Sequence, residues 1–194
     1  RFRVLRVQRY HHPFEGVWAL RGGAVRVDES LDQSALRVVA EATGVPDVYL
    51  EQLYTFGDAG RDPRGRVVSV AYFGLVSASD HEPSAPLSRA RWFAFDELPK
   101  LAFDHARIVA VAHERLRGKV RYCPIGFELL PDRFPLRRLR SLYEELLGRE
   151  LDKRNFRKKF LSLGLVRELD EFETDVPHRA ARLYRFDRDR YQAL

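Results

Sequence analysis

Two glutamates, two arginines and a glycine pair fall within one short stretch, Gly22 to Val45, which reads GGAVRVDESLDQSALRVVAEATGV. Carboxylates such as Glu29 and Glu41 are the hard oxygen ligands that magnesium takes, and bound divalent metal both neutralises phosphates and activates water. Ser30 and Gln33 make a capping-box pair, and Leu31, Ala35, Val38, Val39 and Ala42 recur at helical spacing. A helix is therefore expected from Ser30 to Thr43. Positions 38, 41 and 42 then lie on or beside one face, where Glu41 is the single acid. A lone carboxylate holds magnesium poorly, and an anion beside such a face needs no metal to screen it. Downstream, Arg61, Arg64 and Arg66 lie in the loop 57–66. Their guanidinium forks match phosphate geometry, and Gly22 and Gly23 permit close approach of backbone to a ligand. The rival reading of this loop is a set of surface charges pairing with Asp58 and Asp62.

These residues need a scaffold, and the chain has the material for one. Its 194 residues suit one or two domains, and 45% hydrophobic with 32% charged content is ordinary for a globular protein. No apolar run approaches a membrane span and nothing at the start reads as a signal peptide, so a cytoplasmic location without membrane contact is expected. Cys123 is alone, which excludes a disulfide framework and a multi-cysteine zinc site. His11, His12 and His81 show no metal-ligand spacing, and no G-x-S-x-G supports Ser-His-Asp catalysis. The net charge of +6 favours polyanionic partners.

The first half reads as strand-rich. Strands are expected at Phe2 to Gln8, around the Gly-Gly turn of Trp18 to Val27, at Leu50 to Phe56 and at Arg91 to Phe95. Arg66 to Ser77 is apolar enough to be read as a buried strand. Ser79 to Pro86 is a loop, Phe103 to Arg117 a second long helix, and Gly118 to Cys123 a linker. Then come FELLP (127–131), two helical segments (135–148 and 149–164) and two β-prone runs (165–172 and 181–186) around a polar loop. Helix, helix, strand, loop, strand is winged-helix order.

The stretch from Gly22 resembles the Nudix box, G-x5-E-x7-R-E-U-x-E-E-x-G-U with U aliphatic. Gly23, Glu29, Arg37, Val39, Glu41, Gly44 and Val45 are in register, whereas Val38 and Ala42 stand where the pattern has glutamate. The segments PFEGVWALRGG, YLEQLYTFGDAGRDPRGRVVSVAYFGLV, LAFDHARIV and LYEELLGRELDKRNFRKKFLSLGLV are similar to the Nudix-related transcriptional regulators of NAD metabolism. Arg21 replaces the proline usual before the glycine pair, and little chain precedes Phe2, so a shortened first strand is expected. The resemblance implies an α+β fold: an α/β/α sandwich Nudix-like ligand-sensing domain over 1–122 and a winged-helix DNA-binding domain over 123–194. It implies ADP-ribose or a related nucleotide as effector, with no metal or other cofactor and no catalytic residue. Ligand contacts are expected from Trp18, Arg21, Gly22, Gly23, Glu41, Arg61, Arg64, Arg66, Tyr72 and His105. Trp18 and Tyr72 could stack on a base or simply pack, and His105 could touch ligand or cap a helix.

For DNA, the expected reading element is the helix from Asp152, a candidate N-cap, to Leu163. Phe156, Phe160 and Leu163 should anchor it, leaving Arg154 and Lys158 opposite, Asn155 and Arg157 at the flanks and Lys153 and Lys159 nearer the core. Arginine and asparagine suit base edges, and lysine suits phosphates. In the wing, roughly Asp170 to Arg182, His178, Arg179 and Arg182 could reach phosphates or a minor groove, while EFETD argues for an ordinary hairpin. The whole predicts a repressor of NAD-metabolism genes, a homodimer on a palindromic double-stranded operator whose symmetry matches its own. The same reading predicts that Glu restored at 38 and 42 recovers hydrolysis. One rival is a Nudix hydrolase using Glu15 or Asp104 beside Glu29 and Glu41. Another is a module for RNA or protein.

Overall fold

A computed structural model describes residues 3–44, 48, 50–76, 90–121, 125–174, 177 and 179–192. Val45, His81, Cys123 and His178 lie outside the described residues. The chain divides into two compact units, Arg1–Gly118 and Lys119–Leu194.

In the first unit β1 (Arg3–Gln8) is the middle strand of an antiparallel sheet, flanked by β2 (Trp18–Ala19) and β5 (Ala90–Ala94). A second pair, β3 (Leu50–Phe56) and β4 (Ser69–Gly74), is antiparallel with a bulge between Gln52 and Tyr54. Two helices pack on these strands, α1 (Leu31–Thr43) and α2 (His105–Lys119). Leu53, Phe56 and Ile108 form an apolar cluster with Leu20, Ala71 and Phe73 against it. This is the mixed α/β architecture expected of the N-terminal domain.

The capping box at Ser30 forms as the sequence predicts. Gln33 N donates to Ser30 Oγ at 3.2 Å and Ser30 N to Gln33 Oε1 at 2.8 Å, so two otherwise orphan donors of the first turn are satisfied. Three expectations change. The Gly-Gly segment holds strand only at Trp18–Ala19, because beyond it Arg21 to Asp28 are exposed and pair with no strand among the described residues. The apolar run 66–77 becomes a shorter, half-buried β4 with Val68 exposed, since among the described residues it pairs with β3 alone. The expected linker begins as helix: α2 continues through Gly118 to Lys119, and buried Val120 extends the apolar row of Leu116 at i, i+4.

The second unit builds its core from aromatics. Phe127 stacks on Phe186 at 3.7 Å between centroids, and Tyr143 meets Phe160 edge-on at 5.0 Å. The helices α3 (Leu136–Leu147) and α4 (Lys153–Ser162) precede β7 (Val166–Phe172) and β8 (Arg182–Phe186), with the short β6 (Phe134–Pro135) on the other side of β8. A short α5 (Arg188–Gln192) follows. This is the expected winged-helix order. Gly126 enters the first turn at φ 90°, and a Cβ there would lie 2.8 Å from Leu142 Cδ2, so conformation and space both require glycine.

Candidate functional site

The cleft of the N-terminal unit starts from backbone. Trp18 O accepts from Ala102 N at 2.8 Å, which ties β2 to the entry of α2. Leu20 N donates to His105 Nδ1 at 3.0 Å, so the imidazole is an acceptor at that nitrogen and neutral. Burial pushes its pKa down to about 4. The Gly22–Gly23 loop follows directly. A Cβ on Gly23 would sit 3.0 Å from Val38 Cγ2, so glycine lets this loop close onto α1.

The resulting cleft of about 370 Å³ is lined by Arg21, Gly22, Gly23, Arg61, Arg64 and His105, six of the ten expected ligand residues. Its other lining residues include Gln8, Arg9, Tyr10, His11 and Phe103, which the sequence did not mark as ligand contacts. Arg9 lies 4.7 Å and Arg64 5.6 Å from the centre of the Phe103 ring, close enough for cation–π attraction. A signal for Arg9 and Phe103 would have required knowing that β1 and the α2 entry meet.

Four expected residues do not line this cleft. Trp18 packs edge-on against Phe93 at 4.7 Å. Tyr72 donates to Asp32 Oδ1 at 2.6 Å, a bond that pushes its pKa up to about 12. Arg66 is exposed outside it. Glu41 stands on α1, where Arg21 Nη2 reaches its Oε2 at 3.2 Å and Arg37 Nη1 its Oε1 at 3.3 Å.

The arginine loop follows each reading in part. Arg61, nearly buried, forks onto both oxygens of Asp104 at 2.8 and 2.7 Å and donates to Ser69 Oγ at 2.7 Å. Burial, the largest single effect, would raise the Asp104 pKa; the hydrogen bonds and charge of Arg61, with smaller backbone and His105 effects, together outweigh it and hold the carboxyl below its usual range. Arg64 pairs with Asp62, and Asp58 is taken by Arg107 rather than by a loop arginine.

The magnesium that a Nudix box implies does not fit these side chains. Glu29 Oε1 accepts from Arg26 N at 2.9 Å and Arg37 Nη2 at 2.6 Å, and its Oε2 from Arg37 Nε at 2.9 Å. Those bonds lower its pKa to about 2. Glu41 is held low too, first by Arg37 and then, against an opposing effect of burial, by Arg21. Every oxygen of both acids thus faces a donor. Val38 and Ala42 line an apolar cavity with Leu53, Phe73 and Ile108, and Ala42 is 2% exposed. Glutamate restored there would be buried among carbon, so that expected recovery of hydrolysis has no structural support. Among the described residues no three His, Cys, Asp or Glu side chains converge as a metal-ligand set.

On the C-terminal unit, Asp152 caps α4 by accepting from Asn155 N at 2.8 Å. Phe156 and Phe160 are buried on one face, and Lys153, Arg154, Asn155, Arg157 and Lys158 are exposed around the rest. Leu163 does not anchor the helix: α4 ends at Ser162, Gly164 turns at φ 65°, and Leu165 takes the fully buried place while Leu163 is 37% exposed. Lys159 is turned to the backbone carbonyl of Arg121 at 3.3 Å. Arg157 lies 3.7 Å from Glu168 and over the Tyr184 ring. Glu168 also pairs with Arg182 at 2.9 Å. Arg179 is exposed on the wing. The acidic side of the wing is neutralised from outside it: Glu171 pairs with Arg133 at 2.6 Å and Glu173 with Arg137 of α3.

The family model of the NUDIX domain matches residues 1–112, and that of the NrtR DNA-binding winged helix domain residues 126–186. The ADPR responsive transcriptional repressor NtrR of Acinetobacter baylyi is 37% identical over 188 residues, which cover 94% of this chain and 75% of that protein. The crystal structure of Shewanella oneidensis NrtR complexed with a 27mer DNA has a TM-score of 0.88 at 36% identity, over 98% of this chain and 89% of that one. The NUDIX domain of the same protein complexed with ADP ribose is 42% identical, with a TM-score of 0.51 over 59% of this chain and 77% of that one. With both domain types matched in order, and a repressor aligned over 94% of this chain, the chain belongs to the NrtR family, in which a NUDIX domain is joined to an NrtR winged helix.

Proposed function

We propose that this chain is an ADP-ribose-responsive transcriptional repressor of NAD-metabolism genes. Residues 1–122 sense the nucleotide in the Arg21–His105 cleft, and residues 123–194 grip a palindromic operator through α4. Two copies act as a homodimer in the cytoplasm, one winged helix on each half-site. The observation that carries the reading is the state of the box acids. All four oxygens of Glu29 and Glu41 are engaged by arginine or backbone donors, so the cleft is built to bind and not to cut.

Of the expected DNA contacts, Arg154 and Asn155 carry base reading and Lys153 and Lys158 phosphate contact, with Arg157 and Arg179 at the margins. Ligand alters repression to the extent that it prefers one arrangement of the two DNA-binding domains over another. Membership of a repressor family makes the chain a regulator rather than primarily an enzyme.

The test is fluorescence anisotropy with a palindromic DNA from upstream of the chain's own gene, at fixed salt, with and without ADP-ribose. Specific binding that changes with the nucleotide is expected. Specific binding indifferent to it would remove the sensor, and release of AMP from ADP-ribose with magnesium would favour a hydrolase.

A further inference from the structure

The box that holds a cation in its acid-rich form carries one of its own here. Arg21 lines the cleft beside Gly22 and Gly23, and its side chain is 39% exposed. Its contact with Glu41 is through Nη2 alone, at 3.2 Å; Nε and Nη1 have no partner among the described residues. Glu41 keeps Arg37 on its other oxygen at 3.3 Å, so it is not left bare if Arg21 turns away. The contact is thus a parking position for a guanidinium with donors to offer.

The surroundings share its sign. Among the described residues the side chain of Arg9 donates to the carbonyls of Pro13 and His11 alone. Arg6 on β1 is fully buried, donates to Leu5 O and leaves Nε and Nη2 without a hydrogen-bond partner among the described residues, and its charge is felt at His105. Neither arginine has a carboxylate among the described residues. An acid-rich box repels a diphosphate until a divalent ion reverses the local charge. Here the field is already positive, and a guanidinium presents the planar fork that fits phosphate oxygens.

We propose that Arg21 takes the metal's part in this cleft: it leaves Glu41 for the diphosphate of the bound nucleotide, which is therefore held without divalent metal. The inference rests on the cleft being the nucleotide site. The substitution of Arg for Pro before the glycine pair and the loss of acids at 38 and 42 are then two halves of one exchange, cation gained and cation site removed.

Isothermal titration of the full chain with ADP-ribose, in EDTA and again in millimolar magnesium, tests this. Equal affinity in both buffers is expected. Arg21→Ala should weaken it by about tenfold or more, the size of a lost charge-assisted hydrogen bond, with Arg21→Lys between the two. Tryptophan-fluorescence melting should show both variants folded. Affinity that appears only with magnesium would overturn metal-free binding while leaving the sensor in place. Metal-free affinity unchanged in Arg21→Ala would overturn the role of Arg21 and likewise spare the sensor. No binding in either buffer would overturn the sensor and the inference together.

Discussion

Around the cleft of the N-terminal unit four arginines end on acids, Arg37 on Glu29, Arg61 on Asp104, Arg64 on Asp62 and one nitrogen of Arg21 on Glu41, while Arg9 ends on backbone carbonyls. On α4 the side chains of Lys153, Arg154, Asn155 and Lys158 meet no such partner among the described residues and are exposed. The two regions answer different physical demands. A cleft for one small anion must keep its shape before the anion arrives, so its cations are fixed by carboxylates. A surface for a polyanion gains affinity by releasing condensed counterions, so its charge is best left unneutralised. Substitutions that break the buried pairs of the first region should therefore appear in stability, and those on the second in DNA binding.

The sharpest way to break this distinction is Asp104→Ala. It leaves the Arg61 guanidinium, 6% exposed, without its fork of oxygens. A loss of about 3–5 kcal/mol is expected, as for one partner removed from a buried pair. Both tryptophans, Trp18 and Trp92, lie in the N-terminal unit, so urea denaturation followed by tryptophan fluorescence reports this unit selectively. An unmoved midpoint would deny the pair its structural role.

Acidification should act on the same unit. The pKa of His105 is about 4 in the fold against 6.5 as its ordinary value. Between these values the unfolded chain binds the proton more readily, so the contribution of His105 is full above pH 6.5 and lost as pH falls towards 4. About 2 kcal/mol should disappear between pH 7 and pH 5. Burial depresses His113 too, and that group acts in the same sense. His105→Gln should flatten the stability profile over this range. An equally steep profile in the variant would show that other groups dominate.

On α4, Arg154→Ala should leave tryptophan melting unchanged and weaken operator binding by about 1–3 kcal/mol. Arg157→Ala should cost less, because Glu168 already offsets that charge and the side chain lies over Tyr184. Equal losses in anisotropy titrations of the two variants would erase the difference between paired and unpaired cations within one helix.

What was legible in the sequence was chiefly local. The Ser30–Gln33 box, the Asp152 cap and the Phe156–Phe160 face depend on residues three or four positions apart, and each forms as read. The order of elements was legible for the same reason, and a spaced motif carried the family. Partners distant in sequence were not. The acid for Arg61 lies in another element, and nothing in the 57–66 loop points to Asp104 over Asp58 or Asp62. Arg9 and Phe103 line the cleft only because β1 and the α2 entry converge there. Leu163 failed for a narrower reason: helical spacing extends to it, but Gly164 ends the helix first.

Because Arg61 and Asp104 stand 43 residues apart and close on one another through both oxygens, neither position is free to drift alone. A lineage that loses the acid keeps a buried charge with no counterpart, and one that loses the arginine keeps a stranded carboxylate at the mouth of α2. Inheritance should therefore treat the two sites as a single character, changing both within a short interval or neither.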